Sequence, residues 1–168
     1  IHAPAVKENK EALIKLGKSG FNNVFLDDDF RVARMPGHIG GCFCDECKEK
    51  FLSRYGYGPG QWKDLIESIE NRNPTQVLRS WVDYICDMET NMFNSMKDAV
   101  PEMQLGIMVM YLGAEKAGIE LDQYGDVPFR VGEFMFDDQS FGPVKGKTDE
   151  LFSVLFHRRF VRPDMAYS

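Results

Sequence analysis

The chain lacks any apolar run close to the roughly 20 residues that span a bilayer, which argues against a helical membrane anchor within it. It lacks a basic surplus too. The formal net charge is −6, and basic residues cluster only at His157-Arg158-Arg159, a group that reads as the complement of a helix C-terminus. Both features argue against a phosphate-backbone partner. No glycine-rich phosphate loop follows any apolar run, which weighs against nucleotide binding. There is no repeat of fixed period and no low-complexity tract. There is also no initiator Met, and Ile1-His2-Ala3 does not resemble a signal peptide. The residues from Asp164 to Ser168 read as the start of a strand. The expectation is a segment of a longer protein, in which missing targeting signals say little about compartment.

What is present suits one globular core. Of 168 residues, 43% are hydrophobic and 27% charged, enough for a single domain over 1–168 without an internal boundary. Val6, Leu13 and Leu16, with Ala12 beside them, predict a helix over residues 5–18 that Gly17 and Gly20 end. Val24-Phe25-Leu26 predicts a short buried strand. A helix over Asp45–Tyr55 carries Phe51 and Leu52 inward, and Gly56, Gly58, Pro59 and Gly60 break it. Trp62, Leu65, Ile66 and Ile69 share one helical face. Asn73 as N-cap and Pro74 as first helical residue then open a long helix to about residue 99. Its stripe of Val77, Trp81, Tyr84, Ile85, Met88, Met92 and Met96 predicts packing against a sheet. Strands follow at Leu105–Tyr111 and Phe129–Phe136, then a helix capped by Thr148, then the beginning of a strand after Pro163.

Helices thus alternate with short apolar strands, the pattern of an α/β fold with a parallel sheet and right-handed crossovers. Three and a half such units make about half of a (β/α)8 TIM barrel of roughly 250 residues, an incomplete barrel fragment. An open doubly wound sheet is the alternative.

The chemistry concentrates between Val24 and Cys47. The strand delivers Asp27, Asp28 and Asp29 at its tip, where α/β folds place ligands and reactions. Alternation puts Asp27 and Asp29 on one face and Asp28 on the other. Clustered carboxylates raise one another's proton affinity, as a general acid requires. The plainer readings are loop capping, an ion pair with Arg31 or Arg34, or a hard cation held by oxygen ligands. Three of the four cysteines, Cys42, Cys44 and Cys47, lie within six residues. Bridging such close neighbours is strained, whereas metal clips use this spacing. The spacing therefore points to structural zinc, with a fourth ligand from His38, Cys86 or a residue upstream. Reduced thiols favour a cytoplasmic setting. Further along, Tyr111 ends a strand and suits stacking on a sugar ring. Glu133 lies inside a strand, a costly place unless it faces a polar site. With Arg31, these are the candidate substrate contacts.

The run Cys42-Phe43-Cys44-Asp45-Glu46-Cys47, then Phe51, then Arg54-Tyr55-Gly56, then Trp62, resembles the metal-binding segment of bacterial family-42 β-galactosidases and related barrel glycoside hydrolases. The resemblance covers about residues 24–62. It implies a TIM barrel and a structural zinc on the three cysteines, with a fourth cysteine from an earlier loop. It also implies that Val24–Asp29 is the fourth barrel strand. Where that family carries Asn-Glu, with Glu as acid/base, this chain has three aspartates, so the acid falls on Asp28 or Asp29, with Asp27 tuning it. The family nucleophile, a Glu ending the seventh strand, would lie beyond Asp164. The function expected is hydrolysis of glycosidic bonds by paired carboxylates. The partner is a carbohydrate, with neither nucleic acid nor membrane, and a homo-oligomer is left open. The rival readings are a non-catalytic, metal-stabilised carbohydrate-binding or scaffold domain, and a metal-dependent hydrolase using the aspartates.

Overall fold

The computed structural model describes residues 2–27, 30–32, 38–109, 114–132, 155–156, 158–160 and 166–167. In chain order these give α1 (Ala3–Lys18), β1 (Asn23–Leu26), α2 (Asp45–Tyr55), α3 (Pro59–Glu70), α4 (Gln76–Ala99), β2 (Gln104–Val109), β3 (Phe129–Gly132) and β4 (Ala166–Tyr167). Short 3-10 turns lie at Ala114–Ala117 and Leu121–Tyr124. The expected helix after Thr148 falls largely outside the described residues, as does the end of the third strand.

The fold is mixed α/β. The four strands form one sheet in the order β1-β2-β3-β4, and every neighbouring pair is parallel, as the helix–strand alternation predicts. Val24 lies opposite Leu105, and Ile107 lies opposite both Leu26 and Arg130. The chain forms two compact units assembled from separated segments. One holds Arg31–Met92 with Gly113–Glu120; the other holds His2–Phe30, Phe93–Leu112 and Leu121–Ser168.

In the second of these, the sheet unit, β2 supplies the core: Leu105, Ile107 and Val109 are all buried. Phe93 packs against Phe30 and Tyr124, with ring centroids 6.2 and 5.2 Å away. The burial expected of β1 is not met, because Phe25 is 43% exposed and Val24 and Leu26 are only half-buried. The reason is position: β1 ends the sheet among the described residues and pairs with β2 alone. On α1, Leu13 is buried and Val6 half-buried, but Ala12 and Leu16 stay exposed. Gly17 lies within that helix, which stops only before Gly20.

The other unit is helical. Val77, Trp81, Tyr84 and Ile85 on α4 close on Phe51 of α2 and Leu65 of α3. This half of the α4 stripe therefore packs helix on helix, not on a sheet as expected, because aromatic side chains of α2 and α3 fill the same groove. Arg54 of α2 pairs with Asp87 of α4 and lies over the Tyr84 ring at 5.8 Å. Gly56 ends α2 in the left-handed conformation, and the Tyr57 N–H returns to the Leu52 carbonyl at 2.9 Å. The N-cap of α4 is Thr75, not Asn73: the Thr75 hydroxyl oxygen accepts the Leu78 N–H at 3.4 Å. The Asn73 N–H is used instead to close the end of α3 on the Ser68 carbonyl at 2.9 Å.

Candidate metal centre

The cysteine turn is built against Trp81. Four residues before α2 begins, Gly41 has φ +126°, a conformation side chains rarely adopt. A Cβ there would stand 2.4 Å from the Trp81 ring, so the site has no room for any other residue. The neighbouring Gly40 carbonyl accepts the indole N–H of Trp81 at 2.8 Å. The two glycine N–H groups reach the Lys116 and Val32 carbonyls at 2.7 and 3.1 Å. Phe43 then stacks on the Trp81 ring, with centroids 5.0 Å apart and planes at 27°. The turn is thus held by hydrogen bonds, a ring stack and a backbone approach before any thiol takes part.

From this base the chain enters α2. Cys44 is its N-cap, and the Lys48 N–H bonds the Cys44 carbonyl at 2.9 Å. Cys47 follows on the first turn. Cys42 is half-buried, Cys44 exposed and Cys47 buried, and none of the three is in a disulfide. Their sulfurs lie within 4.8 Å of one another. Tetrahedral Zn–S bonds of about 2.3 Å set sulfurs about 3.8 Å apart, so small side-chain rotations complete three corners of such a site. Burial pushes the Cys47 thiol up to about 12, and hydrogen bonds with Cys42 and Cys44 add to this. Left to itself the Cys47 sulfur favours its proton; a divalent cation reverses that preference by coordinating thiolate. The donor set therefore fits zinc, which would serve here as a cross-link between the turn and the start of α2.

Two of the fourth ligands expected from the sequence do not join this group. Cys86 is buried on α4, where its S–H donates to the Glu115 carbonyl at 3.3 Å and burial pushes its pKa up to about 12. His38 is exposed and lines a different cleft. The pairing of Gly41 with Trp81 that shapes the turn was not legible in the spacing of the cysteines. The available signal was the Gly40-Gly41 doublet directly before Cys42.

The candidate acids are described only in part. Asp27 is exposed just past the carboxyl end of β1, and its carbonyl accepts the Phe30 N–H at 2.8 Å. Arg31 is half-buried. Asp28, Asp29, Tyr111 and Glu133 lie outside the described residues.

Fold and site together define a mixed α/β protein with a parallel sheet and a thiol turn able to hold a metal ion. Comparison with family models, with curated proteins and with solved structures finds nothing that matches the chain.

Proposed function

We propose that the three-thiol turn is a structural zinc centre in a glycoside hydrolase-like domain of TIM-barrel type. One observation carries the zinc reading: three sulfurs converge within 4.8 Å on a turn already fixed by Trp81 and Gly41. Zinc held by closed thiolate ligation contributes to folding and leaves no open position for substrate, so its role is to secure the turn. The carbohydrate reading draws on the family resemblance of residues 24–62, on the all-parallel strand order and on an aspartate at the carboxyl end of β1. In it, Asp28 or Asp29 protonates the leaving oxygen and Asp27 raises that group's proton affinity. Arg31, Tyr111 and Glu133 contact the sugar. A reducing compartment accompanies this reading, since reduced thiols are the metal's ligands.

The two halves separate experimentally. Zinc content per chain, and the thiolate-to-cobalt charge-transfer band after cobalt substitution, should both disappear in Cys42→Ser and in Cys47→Ser. The same measurement on His38→Ala and Cys86→Ser tests the two fourth ligands that the sequence offers within the chain. Native protein that retains no zinc and keeps all its thiols open to alkylation would rule out the metal centre. For the chemistry, aryl glycosides are offered to the wild type and to Asp27→Asn, Asp28→Asn and Asp29→Asn. Unchanged hydrolysis in all three variants would remove the acid from this strand.

A further inference from the structure

A cleft of about 840 Å³ opens in the helical unit, between the end of α3, the start of α4 and the 3-10 turn at Ala114–Ala117. Its floor is apolar: Ile39, Ile69 and Leu78 line it and pack from behind onto the aromatic core around Trp81. Its polar side is basic. Arg72, Lys116 and the His38 imidazole share the lining with a single acid, Glu70. In a chain of net charge −6 this is a local reversal of sign. Among the described residues neither Arg72 nor Lys116 forms an ion pair.

Arg72 adds a second, independent observation. It sits just past α3 at φ +53°, the one non-glycine residue with positive φ among those described. Its N–H reaches the Ile69 carbonyl at 3.3 Å, and the next N–H reaches Ser68 at 2.9 Å. This is the helix-ending position that glycine fills by default, and a long side chain there is held against its backbone preference. Backbone strain of this kind clusters at ligand clamps and other functional sites. Here the side chain that replaces glycine is a guanidinium lining an apolar cleft.

We propose that this cleft binds a small organic anion with an apolar body. The body lies on Ile39, Ile69 and Leu78, and a carboxylate, sulfonate or phosphate head faces Arg72, Lys116 and His38. The volume is that of an ordinary small-molecule site, and a planar guanidinium beside an ammonium suits an oxyanion head. Neither half of the ligand suffices. A bare inorganic anion leaves the floor wet, and a neutral amphiphile leaves the basic groups without a counter-charge.

The test uses anilinonaphthalene sulfonate, an aromatic body with one anionic head, followed by fluorescence and calorimetry on the whole chain. Saturable binding is expected. Octanoate should displace the probe, whereas inorganic phosphate or neutral octyl glucoside at the same concentration should not. Arg72→Gly should weaken binding by about tenfold, the loss of one charge-assisted contact, without lowering the melting temperature, because glycine relieves the backbone. Lys116→Ala should weaken it similarly. Wild-type affinity in both variants would overturn the proposal, since the probe would then be reporting exposed apolar side chains such as Phe21 and Phe43. So would displacement by octyl glucoside as effective as by octanoate, or no binding at all.

Discussion

The cysteine turn and strand β1 stand fewer than twenty residues apart in sequence, yet they are secured in opposite ways. The turn is over-determined. Gly41 fits only because it lacks a side chain, Trp81 bonds the Gly40 carbonyl and stacks on Phe43, and three sulfurs converge within the same turn. Strand β1 has one neighbour, β2, and a residue, Phe25, that is nearly half exposed. The difference shows what each kind of signal is worth. Cysteine spacing is a local constraint, met within six residues whatever surrounds it. The burial of a strand depends on what covers its faces, and those residues lie far along the chain.

The sharpest way to test that contrast is to load the turn. Gly41→Ala adds a Cβ where the Trp81 ring leaves 2.4 Å and imposes a side chain at φ +126°. Overpacking and backbone strain each cost on the order of 1–3 kcal/mol, so a loss of about 3 kcal/mol or more is expected in urea unfolding. Zinc affinity should fall with it, as the turn can no longer sit on the indole. Gly60→Ala on α3 is the control. Nothing lies within 4 Å of the added Cβ, and an exposed helical position should gain up to about 1 kcal/mol. If Gly41→Ala proved as benign as Gly60→Ala, the turn would not be anchored by Trp81.

A second test concerns a carboxyl inside the helical unit. Glu89 on α4 is 3% exposed, and its Oε2 has no hydrogen-bond partner among the described residues. Burial raises its pKa from the ordinary 4.5 to about 7. The folded chain therefore keeps this proton over a range in which the unfolded chain has released it. Stability must fall as pH rises from the unfolded value through about 7, and above that the full cost applies, about 3 kcal/mol. Glu89→Gln keeps the shape and removes the charge. Urea midpoints for wild type and variant should nearly coincide at pH 5 and separate at pH 8, with the variant the more stable. Parallel curves across that interval would mean the carboxyl is solvated or paired in the folded protein.

These tests bear on how far the sequence alone could be read. Residues Asp45–Tyr55 form the helix its apolar spacing predicts, with Phe51 fully buried. The parallel sheet follows from helix–strand alternation, and the thiol cluster from its spacing. The partner of α4 was not legible, because a periodic stripe says that a face is buried but not by what. Glu89 was legible in principle. It lies four residues after Ile85 and four before Phe93, a carboxylate on the apolar stripe of its own helix. The basic cleft was beyond reach, because His38, Arg72 and Lys116 are brought together only by tertiary folding. The cap at Thr75 was missed because Asn73-Pro74 is the stronger local signal; the competing bond from Asn73 to Ser68 belongs to the preceding helix.

The smallest effect is expected at a strand whose predicted burial is not met. Phe25 reads as the centre of a core strand, and replacing such a residue in a true core would cost about 3–5 kcal/mol. At 43% exposure on the end strand of the described sheet, much of its ring already meets water. Phe25→Thr introduces a β-branched side chain suited to a strand and should change stability by no more than about 0.5–1 kcal/mol. Urea unfolding followed by circular dichroism measures it directly. A loss approaching that of Gly41→Ala would show that β1 is covered in solution by residues outside those described, and the contrast between strand and turn would collapse.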